Sequence, residues 1–314
     1  MDNINNRNSS LGNSLLQILG VLLRLTGIYI IGFSLTFLLF KLVFHIDLSN
    51  VGLLLDSGMS TDQKQKLLVL VQTIAPLIQF ILLPILYILL YKRELYNVFI
   101  LKSWKVIAFL LLSLFLYFSF LPILEFLVKW NQSWHLPGAY SGLEQEMIRM
   151  EERAKEITLL LVNYDTKWGF VVILFTVAIL PAIGEELFFR GLLQNEIKNI
   201  TGNHHFAIWL SALVFSFVHF QFFGFVPRML LGALFGYAYV WSGNILVPMV
   251  LHFLNNASTL IIMHTFKEQA KALEGKDMPQ ISLFYLFFSI ITTIALIYYI
   301  QKLYKERIGR DEIE

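Results

Sequence analysis

The chain of 314 residues contains no cysteine, which excludes disulfides, thiolate metal sites and a cysteine nucleophile and leaves His, Asp, Glu or Asn to hold any metal. Charge is scarce as well. Charged residues make up 15%, against about a quarter in soluble domains. The net charge of +2 is too small to mark a nucleic-acid surface, so no nucleic-acid partner is expected. There is no HExxH, GxSxG or GxGD sequence, which excludes a zincin helix, a serine nucleophile elbow and the element of aspartyl membrane proteases. No repeat, low-complexity tract or Gly/Pro/Ser-rich linker divides the chain, so one helical domain is expected.

What is abundant is apolar: 57% of the residues are hydrophobic, and the solvent they suit is lipid. A helix crosses the hydrocarbon core in roughly 20 apolar residues. Stretches near that length fall at 26–45, 67–91, 105–128, 168–193, 206–222, 226–242, 245–264 and 281–300. The expectation is an all-α, polytopic transmembrane helical bundle of about eight spans. Residues 11–25 either lengthen the first helix or lie along the interface before it. The polar start MDNINNRNSS and the absence of a small-residue cleavage site predict that the first span stays as an anchor. Lys92, Arg93, Lys102 and Lys105 crowd the second connection, and Lys302, Lys305, Arg307 and Arg310 follow the last span. By the positive-inside rule both termini are then cytoplasmic, with the spans in the cell membrane. Residues 129–167 fall outside, and Leu143–Val162 has the spacing of an amphipathic helix, read as an interfacial helix, a lid, or a solvated helix packed on the spans. Gly232 and Gly236 form a GxxxG, read as helix packing.

Ionisable groups inside a membrane are costly and mark paired, hydrated or catalytic positions. In VAILPAIGEELFFRGLLQ, Glu185 and Glu186 interrupt an apolar span, and Arg190 follows Glu186 by one turn on the same face. Glu186 and Arg190 can pair, while Glu185, about 100° round the helix, points elsewhere and suits a base acting on water. The competing explanation is a salt bridge that fixes packing. His219 closes AIWLSALVFSFVHF one turn after Phe215, and His252 in NILVPMVLHFLNNASTL shares a face with Asn256, Asn255 facing away. These groups either ligate one divalent metal, zinc first, through Glu185, His219 and His252, or hold water directly between Glu and His. His252 and Asn256 alternatively donate to the oxyanion of a tetrahedral intermediate. Pro181 and Pro248, each four residues before a motif, are expected to kink their helices and open a polar cavity. His45, His135, His204, His205 and His264 fall in or near connections and receive no role.

The blocks EExxxR (Glu185, Glu186, Arg190), FxxxH (Phe215, His219) and HxxxN (His252, Asn256), in this order, resemble the CAAX protease and bacteriocin-processing (CPBP) family of intramembrane proteases. The resemblance extends over ILPAIGEELFFRGLLQ, AIWLSALVFSFVH and LLGALFGYAYVWSGNILVPMVLHFLNNA. It implies that Glu185 activates water with help from His219, that Arg190 and Glu186 hold the site, and that His252 and Asn256 stabilise the oxyanion. It divides the chain into N-terminal spans with the external segment (1–165), a catalytic core (166–264), and a last span with a basic tail (265–314). The expected activity is intramembrane endopeptidase, on a membrane-associated peptide or protein, lipidated or CaaX-like, in the lipid bilayer. The competing class is a non-catalytic membrane binding, scaffold or bacteriocin self-immunity protein. A transporter of inverted-repeat type is disfavoured because the polar residues sit in one half.

Overall fold

The computed structural model describes residues 2–48, 58–91, 104–164, 166–265 and 282–311, with the side chains of 2–11, 91 and 307–311 set aside. Lys92, Arg93 and Lys102, on which part of the orientation argument rests, lie outside the described residues, as do the side chains of Arg307 and Arg310. Among the described residues the chain is all helix: α1 (Asp2–Val43), α2 (Thr61–Leu90), α3 (Trp104–Gln132), α4 (Ser141–Val162), α5 (Lys167–Thr201), α6 (His204–Phe217), α7 (Phe225–Ser242), α8 (Leu246–Thr265) and α9 (Leu283–Asp311). Seven helices among the described residues are long and apolar enough to cross a membrane, and α6 is a shorter apolar one. The expected span at 206–222 is therefore a helix that stops at Phe217 and continues as a turn. Residues 11–25 run without a break into α1, which decides for a longer first helix.

The contacts gather the chain into two compact units. One consists of Met1–Leu95 and Asn163–Ser211, the other of Tyr96–Val162 and Ala212–Glu314. In the first unit, α2 begins on a capping box in which Ser60 and Gln63 satisfy each other's backbone amides, an arrangement worth about 1 kcal/mol. After Pro76 the helix widens into a π-helical stretch, Leu77–Leu82, because proline removes an amide donor and the ladder resettles around it. That stretch passes two glycines. A Cβ on Gly32 would come within 2.8 Å of Gln79, and one on Gly184 within 2.8 Å of Phe80. Glycine at both positions is what lets α1, α2 and α5 close up.

In the second unit α3 is the central element, packed against α7, α8 and α9. Phe109, Leu116, Tyr117, Phe235, Trp241, Val247, Leu251 and Ile300 form its core. Apolar surfaces attract weakly in lipid, so hydroxyls help to join the helices. Ser119 hydrogen-bonds Thr292 at 2.7 Å and Thr293 at 3.0 Å, and the Ser289 hydroxyl donates to the Ser119 carbonyl at 2.6 Å. Gly232 packs as expected from its motif, with Ala212 and Phe215 each 3.2 Å from where its Cβ would stand. The amphipathic segment is helix α4, which touches α8 and the turn before α7.

Candidate functional site

α5 carries the carboxylates of the first unit. Its α-helical register, Leu180–Glu186, lies between two π-helical stretches, Leu174–Ile179 and Leu187–Gln194. Here Pro181 sits at the start of the short α-helical piece, after the Leu180 amide has donated five residues back to Phe175. Such insertions re-aim side chains and recur at functional positions. The expected pair forms despite the wider turn: Arg190 Nη1 donates to Glu186 Oε1 at 2.7 Å, with both side chains fully buried, at 1% and 0% exposure. Glu185, its neighbour, is only half-buried. Behind them, Phe188 meets Phe80 edge to face at 5.6 Å, and the Ser211 hydroxyl donates to the Phe189 carbonyl at 3.1 Å inside the π-helical stretch. Ser211, Phe80 and Gly184 support this helix and carry no sequence pattern beyond a small residue beside a motif.

The second unit carries the imidazoles. His219 stands in the turn after α6, half-buried, with Nδ1 2.7 Å from the Phe215 carbonyl. A carbonyl only accepts, so Nδ1 bears the proton and the neutral ring keeps Nε2 as its basic nitrogen. His252 is buried on α8, its ring stacked on Phe235 at 5.4 Å and met edge-on by Phe215 at 6.0 Å. Phe215 also meets the His219 ring at 5.0 Å. Its place in the FxxxH block is thus explained by contact: one phenyl ring and its own carbonyl set both histidines. Phe235, on α7, belongs to the same cluster and was not singled out by the sequence.

Asn256 lies one turn beyond His252, and its Oδ1 accepts from Asn255 Nδ2 at 3.2 Å. Asn255 in turn accepts from the Tyr117 hydroxyl of α3 at 3.3 Å. Neither Asn255 nor Tyr117 was a candidate in the sequence. Pro248 does not kink its helix as expected. It lies in the first turn of α8, where its missing amide needs no partner, and Asn244 Oδ1 caps the Leu246 amide there at 2.9 Å.

Among the described residues no group of three or more His, Asp or Glu side chains is placed to hold a metal ion. Of the remaining histidines, His135 pairs with Glu144 at 2.8 Å on the surface.

These features define a class: a multi-pass, all-helical membrane protein with an ion pair buried in one span and two histidines held in an aromatic cluster. Residues 167–258 match the Rce1-like family, type II CAAX prenyl endopeptidases. An uncharacterised protein of Bacillus subtilis, YpbD, is 34% identical over 83 residues, covering 25% of this chain and 39% of its own. The membrane-embedded CAAX protease MroQ of Staphylococcus aureus is 33% identical over 96 residues, covering 29% of this chain and 38% of its own. The match thus spans about two fifths of each relative's length. No solved structure matches the chain significantly. The likeness is confined to this segment, which is similar to type II CAAX prenyl endopeptidases and to a membrane-embedded CAAX protease.

Proposed function

We propose that this protein is an intramembrane endopeptidase that hydrolyses a peptide bond of a membrane-associated substrate, lipidated or CaaX-like, with Glu185 as the base that activates water. The observation that carries this reading is the buried Glu186–Arg190 pair at 2.7 Å. A guanidinium already engaged one turn away leaves Glu186 the structural carboxylate and Glu185, partly exposed beside it, the one suited to proton transfer. His219 assists through Nε2, the nitrogen left basic when Nδ1 donates to Phe215. His252 and Asn256 donate to the oxyanion as the carbonyl carbon becomes tetrahedral. Water adds to that carbon, its proton passes by way of Glu185 to the departing amine, and the C–N bond breaks. No step is routed through a metal. The functional core is proposed as residues 166–264 with both termini cytoplasmic, which puts α4 on the outer side.

The test compares a broad set of membrane-anchored peptides incubated with detergent-purified wild type and with Glu185→Ala, each with and without a chelator. Loss of general-base catalysis reduces turnover by about 100-fold or more. Equal cleavage by the variant, or no wild-type cleavage across the set, would overturn the reading in favour of a non-catalytic binding or immunity protein. Sensitivity of the wild type to the chelator would overturn the metal-free chemistry.

A further inference from the structure

A carboxamide in a low-dielectric site has two ends of nearly equal shape and opposite chemistry. A half-turn about its last torsion exchanges an NH2 that stabilises an oxyanion for an oxygen that repels it. Asn256 can serve the proposed reaction only if something fixes which end it turns toward substrate. Two side chains of the second unit do so in series. The Tyr117 phenol is buried in the core of that unit at 2% exposure. Its hydroxyl lies 3.3 Å from Asn255 Oδ1, an atom that only accepts, so the phenol donates there. With its oxygen so engaged, Asn255 offers its NH2 to its neighbour, and Asn255 Nδ2 lies 3.2 Å from Asn256 Oδ1. The oxygen of Asn256 is thereby directed at Asn255, and its NH2 is the end turned away.

We propose that Tyr117 and Asn255 are positioning residues that select the donor end of Asn256, a relay from α3 through α8 that presets the oxyanion-stabilising amide. The proposal rests on the reading of Asn256 given above. In hydrocarbon, reversing Asn255 alone would set oxygen against oxygen and reversing Asn256 alone would set NH2 against NH2, so the direction of the Tyr117 hydroxyl propagates through both carboxamides. Asn255, adjacent to the motif residue, is needed as an amide because no other neutral side chain accepts from a phenol and donates to an amide oxygen from that position.

The experiment uses the full chain in nanodiscs and one membrane-anchored peptide that the wild type cleaves. Removing an oxyanion donor costs about 100-fold or more in kcat, so Asn256→Ala sets that scale. Asn255→Leu is expected to approach the same loss and Tyr117→Phe to lose about 10-fold, both in kcat with KM held, since ground-state binding is untouched. Either change added to Asn256→Ala should cost nothing more, because the residue they position is gone. Further losses in that background, or effects confined to KM, would overturn the relay. A second readout does not depend on activity. The side-chain 15N–1H2 signals of Asn256, identified by their absence in Asn256→Asp, should shift in Tyr117→Phe and Asn255→Leu. Unchanged signals overturn the relay even if cleavage falls. Shifted signals in a chain that cleaves nothing uphold the hydrogen-bonded chain while refuting both its catalytic purpose and the protease reading.

Discussion

At the scale of single residues, the Glu186–Arg190 pair is bound by what surrounds it. Both side chains are shut off from water, so each depends on the other for its charge. Removing one partner of such a pair costs about 3–5 kcal/mol, whereas replacing both by apolar side chains of similar volume is often neutral or stabilising. Glu186→Gln should therefore lower the thermal midpoint of the detergent-solubilised chain well below that of the double change Glu186→Leu with Arg190→Met. A single variant as stable as wild type would show that the pair is not what holds this helix. The pair itself is legible in EExxxR, because residues four apart in a helix share a face whatever else is nearby. Asn255 was not legible. Its helical position turns it away from Asn256 by about 100°, and only the hydroxyl of Tyr117, 138 residues earlier, gives its side chain a direction. Phe215 lies between these cases: its spacing to His219 was visible, but its contact with His252 on another helix was not.

At the scale of elements, what the sequence concealed was the departure from α-helical register. Hydropathy marks α2 and α5 as spans, yet nothing in LIQFIL or LFFRGLLQ distinguishes a π-helical stretch from an ordinary turn of apolar residues. Proline is an ambiguous sign: Pro76 precedes a π-helical stretch, while Pro248 merely begins a helix. The amphipathic helix α4 was clearly readable from its alternation of charge, and its attachment is polar. Arg228 Nη2 donates to Gln221 Oε1 at 2.6 Å, and Gln221 Nε2 donates to Glu151 Oε1 at 3.4 Å. Burial pushes the Glu151 carboxyl above the ordinary range, and Arg228 offsets this only in part. A carboxyl whose folded-state pKa is raised favours the folded chain most when protonated. Its contribution is complete below the unfolded-state pKa and is lost as pH rises through the raised one. Glu151→Gln mimics the protonated form. Melting curves of wild type and this variant should therefore draw together at acidic pH, the wild type falling behind as pH rises through and above the ordinary carboxylate range. A constant difference, or one of opposite sign, would remove Glu151 from the attachment of α4.

At the scale of the whole molecule, the side of the membrane on which the chain ends is decided by its shortest apolar helix. The seven long helices alone would put the two ends of the chain on opposite sides. The basic residues Lys302 and Lys305 after the last span call instead for an even number of crossings with the start inside. Fourteen residues of α6 rise only about 21 Å at about 1.5 Å each, short of a hydrocarbon core of about 30 Å. The turn beyond α6 lengthens it and lies beside the C-terminal end of α3: the Val226 amide donates to Asn131 Oδ1 at 3.0 Å, Trp134 meets Phe222 at 6.0 Å, and Gln221 reaches Glu151 of α4. On the proposed orientation α5 carries the chain inward from α4, so the hydrogen bond from Gln221 back to Glu151 of α4 predicts that α6 is the eighth crossing. The absence of cysteine makes the native chain a ready background for labelling. In intact bacterial cells a membrane-impermeant maleimide should modify Ser133→Cys, in the connection between α3 and α4, and leave Lys305→Cys untouched until the cells are opened. Labelling of Lys305→Cys in intact cells would mean that the number of crossings is odd if the chain starts inside, or that the whole topology is inverted. The Ser133→Cys result separates these outcomes, because inversion alone would shield that position.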